Sequence, residues 1–278
     1  MDLFLREAAD RIGDDDVLAK IDALMDWGAF SPILKHGLGR SGEGPPGYDP
    51  LVLFKYLLIG QLHGLSDPKL ERAMKVRLDF MIFCGLDLHG PVPDETTHCR
   101  FRNTLVRGGV YDALLAEVCR QIEAHGLKLK EAEAAIIDAT LVESAARPHT
   151  TPANRAESPE FGHMIEGARA QRVLADKAYA SKANRERLRD KHRDGIMRKA
   201  ARNRPLRQSE KRFNKMISKR RFRVEQCFGT MKRLFGLHRA RYFGVAKTHA
   251  QLALAAIGQN LLKAANKITL KTQTPAIA

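Results

Sequence analysis

Apolar positions up to about residue 130 recur at helical spacing, interrupted by helix-start signals. Between residues 18 and 25 they follow a helical period, and Asp49-Pro50 supplies an N-cap and a first-turn proline for the apolar segment that follows. Asp94 can cap a further helix, which is followed by a helical segment from Tyr111 to His125. The pattern predicts that residues 1–130 form helices joined by short capped turns.

The pattern changes at residue 134, where two short apolar runs appear, each containing one acid. Ala134–Val142 is β-prone and interrupted only by Asp138, and Arg172–Tyr179 contains Asp176. Uniformly apolar runs of this length are typical of buried strands. We therefore predict a buried strand that contains Asp138 and a second short strand that ends on Asp176.

Helical spacing returns in the last third of the chain. One amphipathic segment runs from residue 213 to about 235 and contains Glu225, and an apolar helix covers 248 to about 265. Residues 147–168 carry three prolines and several polar turn formers, which indicates a loop. Helices, then strands, then further helices predict an α+β fold.

Charge divides the chain more sharply than hydrophobicity does. Residues 1–146 carry a net charge of −7 and residues 147–278 carry +22, within a total of +15. Residues 185–223 alone hold 17 Lys and Arg against four acids. A basic surface of this strength indicates a polyanionic partner.

Composition excludes several other classes of protein. The four cysteines are widely spaced and form no C-x-x-C, so ordinary thiols are favoured over disulfides or a zinc site; they are Cys84, Cys99, Cys119 and Cys227. The N-terminal residues are acidic where a signal peptide needs a basic start. The most apolar stretches, 51–62 and 250–262, are shorter than the ~20 residues of a membrane span. We expect a cytoplasmic protein that does not bind membranes.

The candidate catalytic residues are three acids, Asp138, Asp176 and Glu225. A carboxylate buried in a strand needs a compensating partner, and a divalent cation such as Mg²⁺ or Mn²⁺ supplies one. Two such ions about 4 Å apart can promote phosphoryl transfer. Taken singly, a strand-end Asp is more often a turn cap or an ion-pair member. Glu225 could also pair with nearby arginines, and the basic run could be a solvated face.

The motifs around these acids resemble a known family. IIDATLVES contains Asp138, LADKAYAS contains Asp176, and the third block has the spacing Arg-x₃-Glu-x₆-Lys. These blocks, with GYDPLVLFKYLLIGQLHGLSD and VPDETTHCRFRNTL in the first half, resemble the DDE transposases of bacterial insertion sequences, of the IS-five (InsH-like) group. The third block usually begins with Tyr where this chain has Ser218.

The resemblance implies roles for particular residues. Asp138, Asp176 and Glu225 would be the catalytic acids and would bind Mg²⁺ or Mn²⁺. The DNA-contacting residues would be Arg221, Lys232 and the Tyr179 of a D-x-x-Y pattern. The implied reaction is hydrolysis at the ends of the element, followed by strand transfer.

The resemblance also implies an architecture and partners. Residues 1–130 would form a helical DNA-binding or dimerisation region. Residues 131–278 would form a ribonuclease-H-like catalytic domain with a mixed sheet and flanking helices. The partners would be double-stranded DNA, both terminal inverted repeats and target, bound by a homodimer. A helix at 94–105 that exposes Arg100 and Arg102 is the candidate reader of the repeats, or equally an ordinary surface helix.

One segment departs from the family pattern. Only 37 residues separate Asp138 from Asp176, and they contain no β-patterned run. A ribonuclease-H-like core needs two more strands and a helix there, which scarcely fit. We infer an internal deletion near 147–151, which shortens the domain between 147 and 170, leaves the sheet incomplete, and lowers stability and activity.

Two alternatives to an active transposase remain open. The chain could be a decayed, non-catalytic derivative that still binds the element's ends. It could also be a nucleic-acid binder that uses only its basic segment.

Overall fold

A computed structural model describes residues 3–39, 47–127, 134–136, 161–165, 171–242 and 244–269. These residues form two compact units. The first unit is drawn from residues 1–128 and 234–278, and the second from residues 129–233.

In its described part the first unit is helical. Its helices are α1 (Leu3–Ile12), α2 (Val17–Leu24), α3 (Ser31–Leu38), α4 (Pro50–Leu62), α5 (Asp67–Met74), α6 (Leu78–Cys84), α7 (Glu95–Gly108), α8 (Tyr111–Ala124) and, at the far end of the chain, α12 (Val245–Ala265). Two predicted starts are confirmed, because Asp49 accepts a hydrogen bond from the Leu51 amide at 2.8 Å and Asp94 accepts one from Thr97 at 2.6 Å.

Helix α4 is the centre of this unit. Every residue from Leu53 to Gln61 is buried, so the helix is apolar nearly all round rather than on one face. Its single charge, Lys55, is buried with its Nζ 2.6 Å from Asp22 Oδ1 and 4.4 Å from the centroid of the Trp27 ring. The apolar stretch at 51–62 is therefore a core helix.

Helix α12 packs against α8, α2 and α4. Ile257 and Leu261 are fully buried there, which explains why the segment is so apolar. Helix α12 is therefore part of the same compact unit as the N-terminal helices. The predicted functional boundary at residue 130 stays a prediction.

The second unit contains a small sheet. Its described elements are β1 (Ala134–Ile136), α9 (Phe161–Ile165), β2 (Arg172–Ala175), α10 (Lys182–Leu188), β3 (Arg193–Ile196) and α11 (Gln208–Leu234). The strand order is β1-β2-β3 and both pairings are parallel, where we expected a mixed sheet. The α+β class is confirmed, whereas the segment of the inferred deletion and the run from 137 to 142 lie outside the described residues.

Strand β3 is absent from our sequence prediction. Its four residues are RDGI, within the strongly basic segment, and only the last two are buried. Gly195 allows the close approach to β2, because a Cβ there would lie 2.5 Å from Leu174 Cδ2 and from the Val173 carbonyl oxygen. A charged strand of this kind has no apolar period by which it can be recognised.

Among the described helices, none combines the length and the apolar character that crossing a bilayer requires.

Candidate active site

Asp176 follows directly after β2, at the carboxyl end of the parallel sheet. The side chain is half-buried, and its Oδ1 accepts a hydrogen bond of 2.6 Å from the Ala178 amide. This bond caps a short 3-10 turn over Lys177–Tyr179. The turn-cap role that we held open for a strand-end Asp is therefore present, and it occupies one carboxylate oxygen.

Tyr179, which the resemblance marks as a DNA contact, lies inside the second unit. Its side chain is 1% exposed, and its ring centroid lies 5.7 Å from that of Phe161. The 3-10 turn brings the ring back onto the sheet, where it joins a small core with Val173, Ala175, Leu188 and Ile196. The expectation of an accessible DNA-contacting ring is therefore corrected.

The third block lies on α11, as predicted. At about 100° of rotation per residue, Arg221, Glu225 and Lys232 fall within about 40° of one another on one face of the helix. Arg221 is buried, Glu225 is exposed and Lys232 is half-buried. The alternative salt-bridge role for Glu225 is not seen, because within the described residues its carboxylate forms no ion pair.

On α7 in the first unit, Arg100 is exposed, as expected for a reading helix, whereas Arg102 is buried. The guanidinium of Arg102 donates two hydrogen bonds of 2.9 Å to Asp67 and lies 4.2 Å from the centroid of the Tyr242 ring. The expectation that Arg102 is exposed for DNA is corrected, because the side chain lies on the core face of the helix.

This ion pair sets the charge state of Asp67. Burial alone would raise the pKa of the Asp67 carboxyl, but the hydrogen bonds and positive charge of Arg102 outweigh it and hold the pKa below its usual value. His98 lies beside the pair, with its Nδ1 3.2 Å from Asp67 Oδ1, although the geometry is not that of a hydrogen bond.

Comparison with known proteins bears on what these elements do. A family model described as Transposase domain (DUF772) matches residues 6–104, and one described as Transposase DDE domain matches residues 133–261. The chain is also 34% identical, over 225 residues, to the transposase for insertion sequence element IS1106 of Neisseria meningitidis serogroup B. That alignment covers 61% of this chain and 78% of the relative.

The chain belongs to the DDE transposases of insertion sequences. The comparisons support transposase function and do not favour the non-catalytic derivative. Membership of the IS-five (InsH-like) group stays a prediction. No solved structure matches the transposase.

DDE transposase domains use divalent metal ions, generally Mg²⁺ or Mn²⁺. Within the described residues, no group of three or more His, Cys, Asp or Glu side chains is arranged to hold such an ion. Asp138 lies outside the described residues. Asp176 and Glu225 nevertheless suit the ion chemically, because both offer hard carboxylate oxygens and neither is neutralised by a described cation.

The transposase has another strand acid that our sequence analysis missed. Asp194 lies in β3, where it forms ion pairs with Arg185 and with Arg198 and accepts a hydrogen bond of 2.8 Å from the Ile196 amide. Two guanidiniums therefore neutralise it. This environment makes Asp194 a structural acid and distinguishes it from Asp176.

His98 gives the transposase a predicted pH dependence of stability. Burial lowers the pKa of His98 to about 4, while the charge of Asp67 acts in the opposite direction and that of Arg102 in the same one. An unfolded histidine titrates near 6.5. As pH falls from about 6.5 to about 4, only the unfolded chain gains this proton, so stability is lost across that window.

Between pH 7 and pH 4, we expect the free energy of unfolding of His98→Gln to fall less than that of the wild type, by on the order of 2 kcal/mol. Urea unfolding at the two pH values measures the difference. The control is His125→Gln, at an exposed histidine of the same unit, which should keep the wild-type slope. Parallel curves for wild type and His98→Gln would contradict the assignment.

Proposed function

We propose that this transposase cleaves insertion-sequence ends and joins them to target DNA with divalent cations held by Asp138, Asp176 and Glu225. The observation that carries the proposal is the pairing of β1 with β2. Ala134 pairs with Arg172 and Ile136 with Leu174, an offset of 38 residues. The same offset separates Asp138 from Asp176 in the sequence. If the chain keeps that register for two more residues, the two acids lie side by side at the carboxyl edge of the sheet.

The residues of α11 would complete the site. Glu225 would be the third carboxylate, and Lys232, half-buried on the same helix face, would neutralise a phosphate of the bound end. Arg221 is buried and is not proposed as a direct contact of DNA. When bound, divalent cations lower the pKa of a water and stabilise the leaving oxygen. Water would add to the scissile phosphorus as its bond to the 3′ oxygen breaks, which releases a 3′-hydroxyl. That hydroxyl would then attack a phosphodiester of the target, and the target's own 3′ oxygen would leave as a hydroxyl.

Architecture and partners extend the proposal. We infer a ribonuclease-H-like catalytic domain, for which the parallel pairing of β1 with β2, which Asp176 follows directly, is the supporting observation. The helical unit would bind terminal inverted repeats, with Arg100 of α7 as the exposed candidate. We infer a homodimer on double-stranded DNA in the bacterial cytoplasm.

We retain the internal deletion as part of the proposal. The alignment with the IS1106 transposase supports it, because 61% of this chain is about 170 residues. The 225 aligned positions therefore include about 55 at which only the relative has a residue. A loss of that size suits a missing hairpin and helix.

The test is cleavage of a labelled duplex that carries the element's terminal repeat, with and without Mg²⁺ or Mn²⁺. We expect a metal-dependent nick with a 3′-hydroxyl at the repeat border, slower than that of the IS1106 relative. Asp138→Asn should abolish the nick. Asp190→Asn, which removes one carboxylate from a positive-φ position that Asn tolerates, should preserve it. A folded wild-type protein that binds the duplex without cutting it, or that cuts it in EDTA, would refute the proposal.

A further inference from the structure

Helix α11 has a second charged face, distinct from the one that carries Glu225. Four of the five exposed cations in its first half, Arg212, Lys215, Lys219 and Arg220, are called the cationic face below. Together with Met216 they line an open depression of the surface. At about 100° per residue, the centre of this face is about 155° from that of Arg221, Glu225 and Lys232. The cationic face therefore lies nearly opposite the face that carries Glu225.

The cations of this face are not compensated within the described chain. None of the four forms an ion pair or side-chain hydrogen bond with a described residue. Arg212 and Lys215, and then Lys215 and Lys219, are spaced at i, i+3 and i, i+4, where like charges repel.

Three other solvent-facing helices of the same protein, α1, α5 and α8, pair an exposed cation with an acid. Glu7 pairs with Arg11 at 2.9 Å, Glu71 with Lys75 at 2.6 Å and Glu117 with Arg120 at 2.6 Å. In each case an acid lies three or four residues before the cation, and α11 has no acid at such a position on its cationic face. A merely solvated face does not explain this contrast.

We propose that the cationic face binds the phosphate backbone of double-stranded DNA, on the side of α11 turned away from Glu225. This inference rests on the proposed function, which supplies DNA as the ligand. The four cations span about 12 Å of the helix axis, which matches the rise of three to four phosphates in one strand. DNA held on this face is not at the scissile bond, so it is either a continuation of the end duplex or a second duplex.

Other polyanions fit the face less well. Single-stranded nucleic acid is usually held by several aromatic side chains that stack successive bases. The one exposed aromatic residue on this helix, Phe222, lies beyond the end of the set. A membrane-surface helix needs a broad apolar face beside its cations, whereas Met216 is the one exposed apolar side chain between Arg212 and Arg220.

The experiment compares two full-length variants with the same loss of charge. The test variant carries Arg212→Gln, Lys215→Gln, Lys219→Gln and Arg220→Gln, since Gln keeps helix propensity. The control carries the same change at four exposed cations of the second unit that lie off α11: Lys182, Arg189, Lys199 and Arg202. Helix content by circular dichroism checks that both variants fold.

Affinity for a labelled end duplex is measured from 50 to 300 mM salt. A second arm measures the binding of a labelled nonspecific duplex to protein already saturated with unlabelled end duplex. In at least one of the two arms, we expect the test variant to lose about 10- to 100-fold in affinity near 0.1 M salt. In that arm, the slope of log affinity against log salt concentration should be smaller in magnitude by about 3. Loss in the first arm assigns the face to the end duplex, and loss in the second arm alone assigns it to a second duplex. Equal behaviour of the two variants in both arms overturns the inference.

Glu225→Gln, tested in parallel, separates the two proposals. It should bind DNA like the wild type and fail to cleave it. If cleavage depends on Glu225 but the two charge variants bind alike, only the cationic face is refuted. If the wild type never cleaves, the proposed function fails, while the binding comparison still tests the face.

Discussion

Replacing Asp176 with asparagine should reduce metal-dependent cleavage by at least about 10³-fold without unfolding the protein. The asparagine oxygen can still accept the 2.6 Å hydrogen bond from the Ala178 amide, so the 3-10 turn keeps its cap. What the substitution removes is the negative charge that a hard cation needs. The effect should therefore fall on chemistry and leave the melting temperature within a few degrees of wild type.

A neighbouring cap provides the matched control. Ser181 Oγ accepts a hydrogen bond of 3.1 Å from the Asn184 amide and begins α10, a few residues after Asp176. Ser181→Ala should cost about 1 kcal/mol of stability and leave cleavage unchanged once the protein is folded. Binding of Mn²⁺, followed by paramagnetic resonance, should weaken in Asp176→Asn alone. Cleavage by Asp176→Asn at the wild-type rate would show that this carboxylate holds no cation.

The second large effect is expected in the first unit, where Asp67→Asn should destabilise the protein by about 3–5 kcal/mol. Arg102 is 6% exposed, and its guanidinium gives both of its carboxylate bonds to Asp67. Removal of the carboxylate charge leaves a buried cation without its counter-ion, which costs far more than an exposed pair is worth. Urea unfolding at pH 7 measures the change.

Asp94→Asn is the control for this prediction, because the substitution is chemically the same at an exposed helix cap. Asparagine is an equally good N-cap, so its stability should stay within about 0.5 kcal/mol of wild type. Combining Asp67→Leu with Arg102→Met should recover much of the loss, because no charge then remains buried. A loss below 1 kcal/mol for Asp67→Asn would show that water reaches Arg102.

Local signals predicted the helices of the first unit well. Asp49 and Asp94 were identified as caps because a cap depends on residues only two or three positions away. The position of α12 was missed because its partners α2, α4 and α8 are far from it in sequence. A signal for the burial of Arg102 was present: with His98, Phe101 and Leu105 it forms the i, i+3, i+4, i+7 stripe of a core-facing helix surface.

The sequence identified the acids of the candidate site and the elements that carry them, but not the surroundings of their neighbouring side chains. Sequence motifs identified Asp176 and Glu225, and the structure places Asp176 at the end of a strand and Glu225 on an exposed helix surface. The motifs could not reveal that Tyr179 turns inward, since an aromatic residue after a tight turn can face either side. Nor could they distinguish Asp194, whose neutralisation by Arg185 and Arg198 depends on how β3 pairs.

The packing of α12 against the N-terminal helices has a consequence for synthesis on the ribosome. Helices α2, α4 and α8 leave the ribosome first, but the apolar residues that cover them, such as Ile257 and Leu261, are made only after the whole second unit. Until then the nascent helical unit exposes an uncovered apolar surface, which favours aggregation, chaperone binding and proteolysis. Translation that stops after α11 and before α12 thus yields a fragment whose helical unit is incomplete. Such fragments should be degraded before they can compete with the full-length protein for the ends of the element.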